Sequence, residues 1–401
     1  MIKIAVLGYG TVGSGVVHVL ETNKDLIAKR VGQEIEVSKV LDLRDFEGDP
    51  IQAKITHNYD DILNDDEIKI VVEVMGGVEP AYTFVKQALL KGKHVATSNK
   101  ALVADKGSEL LKIAKDNNIN FLFEASVGGG IPIIRPIFSS LTAEDITDIK
   151  GILNGTTNYM LTKMGEEGAE YDDVLKDAQN KGYAEADPTA DVEGYDACRK
   201  IAILTALANE QFVDFNDIKT EGITKISKTD MKYADALNAT IKLIGASHKE
   251  NDKVYAYVAP ILFEKSHPLA GVSDVFNAIF VKGNMLGDAM FYGQGAGKDA
   301  TASAVVADII DEARNLDANI GYSWSEDKLE LADIDTLPMK YFVRVKGDKE
   351  ADVKSSFGDV RFVKADGVAD ETAFVTDLIK ASELNDKLNS FELITAIKAE
   401  I

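Results

Sequence analysis

Two short segments carry residue types whose spacing could do chemistry. In GYGTVG, Gly8 to Gly13, the glycines follow the G-x-G-x-x-G spacing between an apolar run and a helical pattern. Gly8 permits a tight turn, Gly10 lets backbone approach a pyrophosphate, and Gly13 lets helix and strand pack closely. The amides that open the helix, at Thr11 and Val12, then face the phosphates. In DVEGYDACRK, Lys200 begins an apolar stripe that continues through Ile203, Leu204 and Leu207, and Asp196 lies one turn before it. Each segment has a plain alternative. The glycines could make a bare strand-to-helix turn, and the charged residues a partly buried ion pair with a snorkelling lysine stem.

The elements that must position these groups follow from periodicity. Residues 2 to 7, IKIAVL, form a continuous apolar run of the kind a strand buried on both faces shows. An apolar helix is expected from Gly13 to about Arg30. Further runs follow at EVSKVLDL, ending near Asp42, and at KIVVEVM, KHVAT and NFLFEA, separated by helical patterns. That alternation predicts an α/β fold, a parallel Rossmann sheet covered on both faces, over residues 1–130. Lys100, in ATSNKALVA, stands just past the end of one such strand, where open α/β sheets place ligand groups.

From residue 131 to 294 the pattern becomes α+β, with alternating strands such as KVYAYVAPILF. A second glycine turn then feeds an apolar helix, about 295–315, expected to return to the first domain. A polar, acidic stretch, 316–336, reads as a linker. The tail, 337–401, has the order strand, helix, strand, strand, helix, strand, a small ferredoxin-like βαββαβ module.

Composition bounds the function. A chain of 401 residues implies two or three domains, and a net charge of -22 argues against nucleic acid and anionic membranes as partners. No apolar run of about 18 residues suggests a membrane span. Cys198 is the only cysteine, which excludes an intrachain disulfide or a thiolate zinc cluster, and the five histidines show no ligand spacing. A reducing, cytoplasmic compartment is expected. The cofactor is left as NAD or NADP. LDLRD offers both an acid for a ribose hydroxyl, Asp42, and an arginine for a 2′-phosphate, Arg44, and Asp42 lies beyond the usual spacing of roughly 20 residues.

Three further segments, ATSNKALVA, FEASVGGGIPII and GYAEADPTADVEGYDACRK, stand in order after the first glycine loop. Together they resemble homoserine dehydrogenase from Met1 to about Ala313. The resemblance implies NAD(P)-dependent interconversion of L-aspartate 4-semialdehyde and L-homoserine, in threonine, methionine and isoleucine biosynthesis. It implies that Lys200 and Lys100 are the catalytic ammonium pair, and that Glu185, Asp191 and Asp196 line the substrate's amino-acid head or orient Lys200. Thr97, Ser98 and Gly297 fall where that family holds its nicotinamide nucleotide. Glu124, Val127, Gly129 and Ile131 match its monovalent cation site, usually sodium, formed mainly by backbone carbonyls. A homodimer or homotetramer of the single-activity form is expected. The chemistry agrees: hydride addition to an aldehyde leaves charge on oxygen that ammonium groups in a dry pocket can stabilise and protonate.

An acylating semialdehyde dehydrogenase would need a thiolate, and Cys198 lies about 200° around the helix from both Asp196 and Lys200. A non-catalytic redox sensor would need the glycine loop but not the lysines and acids. The tail is similar to an ACT domain, which implies feedback by a threonine effector. Its turn reads GDKEADV, without the proline and glycine such domains often carry there, so a packing or dimerisation module is the alternative.

Overall fold

The computed structural model describes residues 1–401, the whole chain. The five apolar runs of the first third form β1 (Ile2–Leu7), β2 (Ile35–Leu41), β4 (Ile68–Glu73), β5 (His94–Thr97) and β6 (Phe121–Leu122), and a short strand that no apolar run announced, β3 (Ile55–Thr56), joins them. They make a parallel sheet in the order β3-β2-β1-β4-β5-β6. Ile4, Ala5, Val6 and Leu7 are wholly buried, because helices cover both faces. These are α1 (Thr11–Thr22), α2 (Lys24–Val31), α3 (Asp60–Leu63), α4 (Ala81–Leu90) and α5 (Lys100–Asp116). The one helix expected from Gly13 to Arg30 is therefore two, broken at Asn23, which leaves helical geometry with ψ 20°. The strand order reverses between β1 and β4, which opens a crevice at their carboxyl ends.

The middle of the chain supplies β7 (Ile146–Ile152), α6 (Gly155–Glu166), α7 (Tyr171–Asn180), α8 (Thr189–Val192), α9 (Tyr195–Asn209), β8 (Gln211–Phe212), β9 (Lys219–Thr220) and α10 (Lys228–Ala236). β10 (Ala239–Glu250), β11 (Lys253–Glu264), β12 (Phe276–Gly283) and β13 (Gly287–Gln294) complete it. Next, α11 (Lys298–Arg314) returns to the first sheet. Its Ala302, Val305, Val306 and Ile309 share a core with Val16, Val17 and Leu20 of α1.

The stretch expected as a linker is instead laid down firmly. It contains β14 (Ser325–Lys328), paired with β8, and it buries Tyr322 and Trp324. Two aromatic rings override its acidic composition.

The tail forms β15 (Lys340–Lys346), α12 (Glu350–Phe357), β16 (Arg361–Val363), β17 (Glu371–Val375), α13 (Ala381–Leu388) and β18 (Leu393–Glu400). The second sheet runs β13-β12-β7-β10-β11-β18-β15-β17-β16. The tail is thus a small extra module, but its sheet is continuous with that of the middle segment. β18 pairs in parallel with β11 from Ile261↔Lys398 to Phe263↔Glu400, which covers an edge that would otherwise expose unpaired amides. No helix is long and apolar enough to cross a membrane.

Candidate active site

Helices α5 and α9 start at the same place. Lys100 is the first residue of α5, just beyond β5, and Asp196 and Lys200 lie in the first two turns of α9. Asp196 is almost fully buried and is shared by both lysines. Lys200 Nζ donates to Asp196 Oδ2 at 2.7 Å and to the Leu153 carbonyl at 2.7 Å. Lys100 meets Oδ1 as a close ion pair. The Asn154 amide donates to Asp196 Oδ2 at 2.9 Å and to Asp191 Oδ1 at 2.7 Å, binding the two acids into one cluster.

Burial would push the Asp196 carboxyl up, but the two ammonium groups and the Asn154 amide outweigh it and hold the carboxyl well below the usual range. Burial pushes Lys200 toward its neutral form. Asp196 opposes that, and Lys100 adds to it. Asp191 is pushed up, first by burial and then by the Asp196 charge. The arrangement holds one lysine that gives up its proton more readily than a free lysine, next to a carboxylate that stays charged. It can therefore exchange a proton with a bound oxygen.

The glycine loop lies at the crevice. Gly8 has φ +97°, and a Cβ on Gly13 would stand 1.9 Å from the Gly8 carbonyl oxygen, so the loop closes only with glycine there. Gly10 caps α1 without a side chain, and the amides of Thr11, Val12 and Gly13 donate to nothing in the protein. Unspent donors at a helix N-terminus suit a pyrophosphate. Asp42 accepts from the Tyr9 amide at 2.8 Å and holds Arg44 in a two-pronged pair at 3.0 Å. Arg44 holds the Asp42 carboxyl well below the usual range against the opposing effect of burial. Thr97 is buried at the end of β5, where its hydroxyl donates to Glu73 Oε2 at 2.6 Å, and the Ser98 amide donates to the Glu73 carbonyl at 3.3 Å. Gly297 caps α11.

The loop after β6 has a different character. The Glu124 carboxylate accepts the amides of Ile133, Ile134 and Arg135 at 2.6, 2.9 and 2.7 Å. Its side chain is thereby spent on the backbone. Val127, Gly129 and Ile131 are buried, yet their carbonyl oxygens accept no hydrogen bond from the protein. Unpaired buried carbonyls fit a hard monovalent cation, whereas no group of acids or histidines here is arranged to hold a metal ion.

Not every expected residue joins the cluster. Glu185 is exposed between α7 and α8, and its carboxylate pairs with nothing. Cys198 is buried and donates to the Phe215 carbonyl at 3.3 Å, away from the charged cluster, and burial pushes its thiol up. It is poorly suited to act as a nucleophile. Sequence reasoning missed Asn154, Glu73 and Asn99. Asn154 and Asn99 are the side-chain caps of α6 and α5, and an asparagine at a strand end before a helical run is a readable cap signal. Glu73 ends β4 wholly buried, accepts from the Met75 amide at 2.8 Å, and orients Thr97. Nothing in its sequence context separates it from an ordinary strand acid.

A 3-2-1-4-5-6 parallel sheet with a glycine loop at its switch point, opening on a buried lysine–carboxylate cluster, defines an NAD(P)-dependent oxidoreductase. Comparison with known proteins makes this specific. A family model for homoserine dehydrogenase matches residues 132–310, and one for the homoserine dehydrogenase NAD binding domain matches residues 8–124. A homoserine dehydrogenase of Bacillus subtilis is 44% identical over 320 residues, covering 79% of this chain and 73% of that protein. The crystal structure of a homoserine dehydrogenase from Thiobacillus denitrificans superposes with a TM-score of 0.91 at 34% identity, covering 100% of this chain and 98% of that one. A hyperthermophilic archaeal homoserine dehydrogenase in complex with NADPH gives 0.66 at 29% identity, covering 78% and 97%. The chain belongs to the homoserine dehydrogenase family. It interconverts L-homoserine and L-aspartate 4-semialdehyde, a step of amino-acid biosynthesis.

Proposed function

We propose that Lys200 moves the proton in this reaction, giving it to the carbonyl oxygen during aldehyde reduction and taking it from the hydroxyl during oxidation. Two of its three donor positions are spent on Asp196 and Leu153, which leaves one for the substrate oxygen. Lys100 adds positive charge where the oxyanion develops, and Asp196 holds both ammonium groups in place. Asp191 takes the substrate's ammonium group, and Glu185 reaches that head from its loop. A nicotinamide held at the crevice would supply the hydride for reduction and take it up in oxidation.

The observation that carries this reading is the convergence of Lys100 and Lys200 on one buried carboxylate. Lys200→Ala should lower kcat on the order of 10²–10⁴-fold with the fold intact. Near-normal turnover of homoserine in that variant, followed at 340 nm, removes Lys200 from the mechanism.

The cofactor lies on Gly8, Gly10, Thr11, Val12 and Gly13, with Thr97, Ser98, Lys100 and Gly297 around its nicotinamide end. Arg44 favours NADPH, the cofactor bound in the archaeal relative, whereas Asp42 favours NADH. Comparing kcat/KM for the two decides between them. A sodium ion held by carbonyls of Glu124, Val127, Gly129 and Ile131 would brace the loop between β6 and the middle segment, and the unpaired oxygens support it.

We divide the chain into a dinucleotide-binding unit, 1–130 with 295–315, a substrate and dimerisation unit, 131–294, a connecting stretch, 316–336, and the C-terminal module, 337–401. Two or four copies assemble in the cytoplasm, and the module either takes threonine as an effector or serves as a packing and dimerisation element. Inhibition by millimolar threonine is the readout for that last point.

A further inference from the structure

Residues 315–331 tie the first sheet to the helical layer that carries Asp196 and Lys200. At one end, Asn120 donates to the carbonyls of Asn315 and Ala318 at 3.2 and 2.9 Å and accepts from the Ile320 amide at 2.7 Å. At the other end, the Ser325 amide donates to the Glu210 carbonyl at 2.9 Å, and the Leu329 amide to the Phe212 carbonyl at 2.7 Å. Between these anchors stands Trp324, the only tryptophan of the chain.

Its ring is buried with its edge against Phe123, centroids 5.6 Å apart, and it lies directly on α5. A Cβ added at Gly107 of that helix would stand 2.6 Å from Trp324 Cζ2. The indole therefore occupies the space a side chain at Gly107 would need. Gly107 is two turns along α5 from Lys100, and Glu210, bonded by the next strap residue, caps α9. Trp324 thus packs on α5 two turns from Lys100 and adjoins the C-terminal end of α9, the helix whose first two turns carry Asp196 and Lys200.

Two details separate this ring from ordinary core. Its Nε1–H is buried without a partner, so shape alone holds it, whereas buried tryptophans usually spend that donor. Beside it opens a cavity of ≈ 380 Å³ lined by Leu111, Lys112, Lys115 and Glu210, which gives the ring somewhere to go.

We propose that Trp324 is a positioning residue, a wedge that sets α5 against α9 and so fixes how Lys100 stands relative to Asp196 and Lys200. The inference rests on the reading of that cluster as the proton-transfer site. The Lys200→Ala test addresses that reading independently.

The test uses the full chain with Gly107→Ala, Trp324→Phe and the double variant. Gly107→Ala should lower kcat roughly tenfold, since a misplacement of about 1 Å at a reacting group can cost up to about 100-fold. It should move the emission of the single tryptophan to the red as the ring is displaced toward the cavity. In the double variant the smaller ring makes room, and kcat recovers. Wild-type kcat in Gly107→Ala, a loss that Trp324→Phe does not relieve, or a loss with unchanged emission each overturns the proposal. Should Gly107→Ala fail to fold, Trp324→Phe alone decides. The proposal expects lower kcat and a shifted pH midpoint for homoserine oxidation, and wild-type values of both overturn it.

Discussion

Two buried ionic clusters in this molecule are built to opposite plans. At the active site one carboxylate, Asp196, serves two ammonium groups, and Lys200 keeps donor capacity in reserve. At the junction of the C-terminal module one guanidinium, Arg344, serves two carboxylates. It donates to Glu371 at 3.0 and 2.8 Å and to Asp230 at 2.6 Å; Arg344 and Asp230 are buried and Glu371 is partly buried. Arg344 and Glu371 belong to the module and Asp230 to α10, so the triad fastens the module where β18 has already joined the sheet. A saturated cluster is a joint. One with unspent donors and a lysine pushed toward neutrality has room for a substrate, and this difference makes the two clusters separable by experiment.

The largest effect on stability should come from breaking the joint. Arg344→Met leaves buried Asp230 and partly buried Glu371 without their cation, at a cost of about 3–5 kcal/mol in urea unfolding, while kcat per folded molecule stays close to wild type. A matching loss of kcat would mean that the module also shapes the active site. Replacing all three, Arg344→Met with Asp230→Leu and Glu371→Leu, should restore most of that stability, because the carboxylates no longer need desolvating. The recovery should fall short by about 1 kcal/mol, because Asp230 also closes the capping box of α10 with Ser227.

The contrast also explains what the sequence made legible. Short-range chemistry could be read directly: the five apolar runs and their helices, the glycine loop, the one-turn spacing of Asp196 and Lys200, and the βαββαβ order of the tail. Features that depend on residues far apart in the chain could not. Arg344 and Asp230 are joined through an unpredicted sheet continuity, and Asn154 meets Asp191 and Asp196 only once β7 has placed it. The 316–336 stretch misled because polar composition hides the burial of two aromatic rings. Glu185 shows the converse. Its motif is intact, yet its carboxylate stands exposed on a loop, because a motif fixes residue type and not loop position.

A subtler change tests whether Asp196 tunes Lys200 or merely holds it. Asp196→Asn keeps an oxygen that can accept from Lys200 Nζ and removes the charge. Burial and Lys100 both favour neutral Lys200, and Asp196 is the principal influence in the other direction. Without its charge the Lys200 pKa must fall further. On the proposed role of Lys200, oxidation of homoserine needs it neutral to take the proton, so the rate should rise with pH as Lys200 deprotonates. Reduction of the aldehyde needs it protonated and falls over the same range. In Asp196→Asn both transitions should move to lower pH, with a smaller loss of kcat than in Lys200→Ala. A midpoint that stays put or moves up would assign Asp196 to geometry alone, and would leave Lys100 as the stronger electrostatic partner of the bound oxygen.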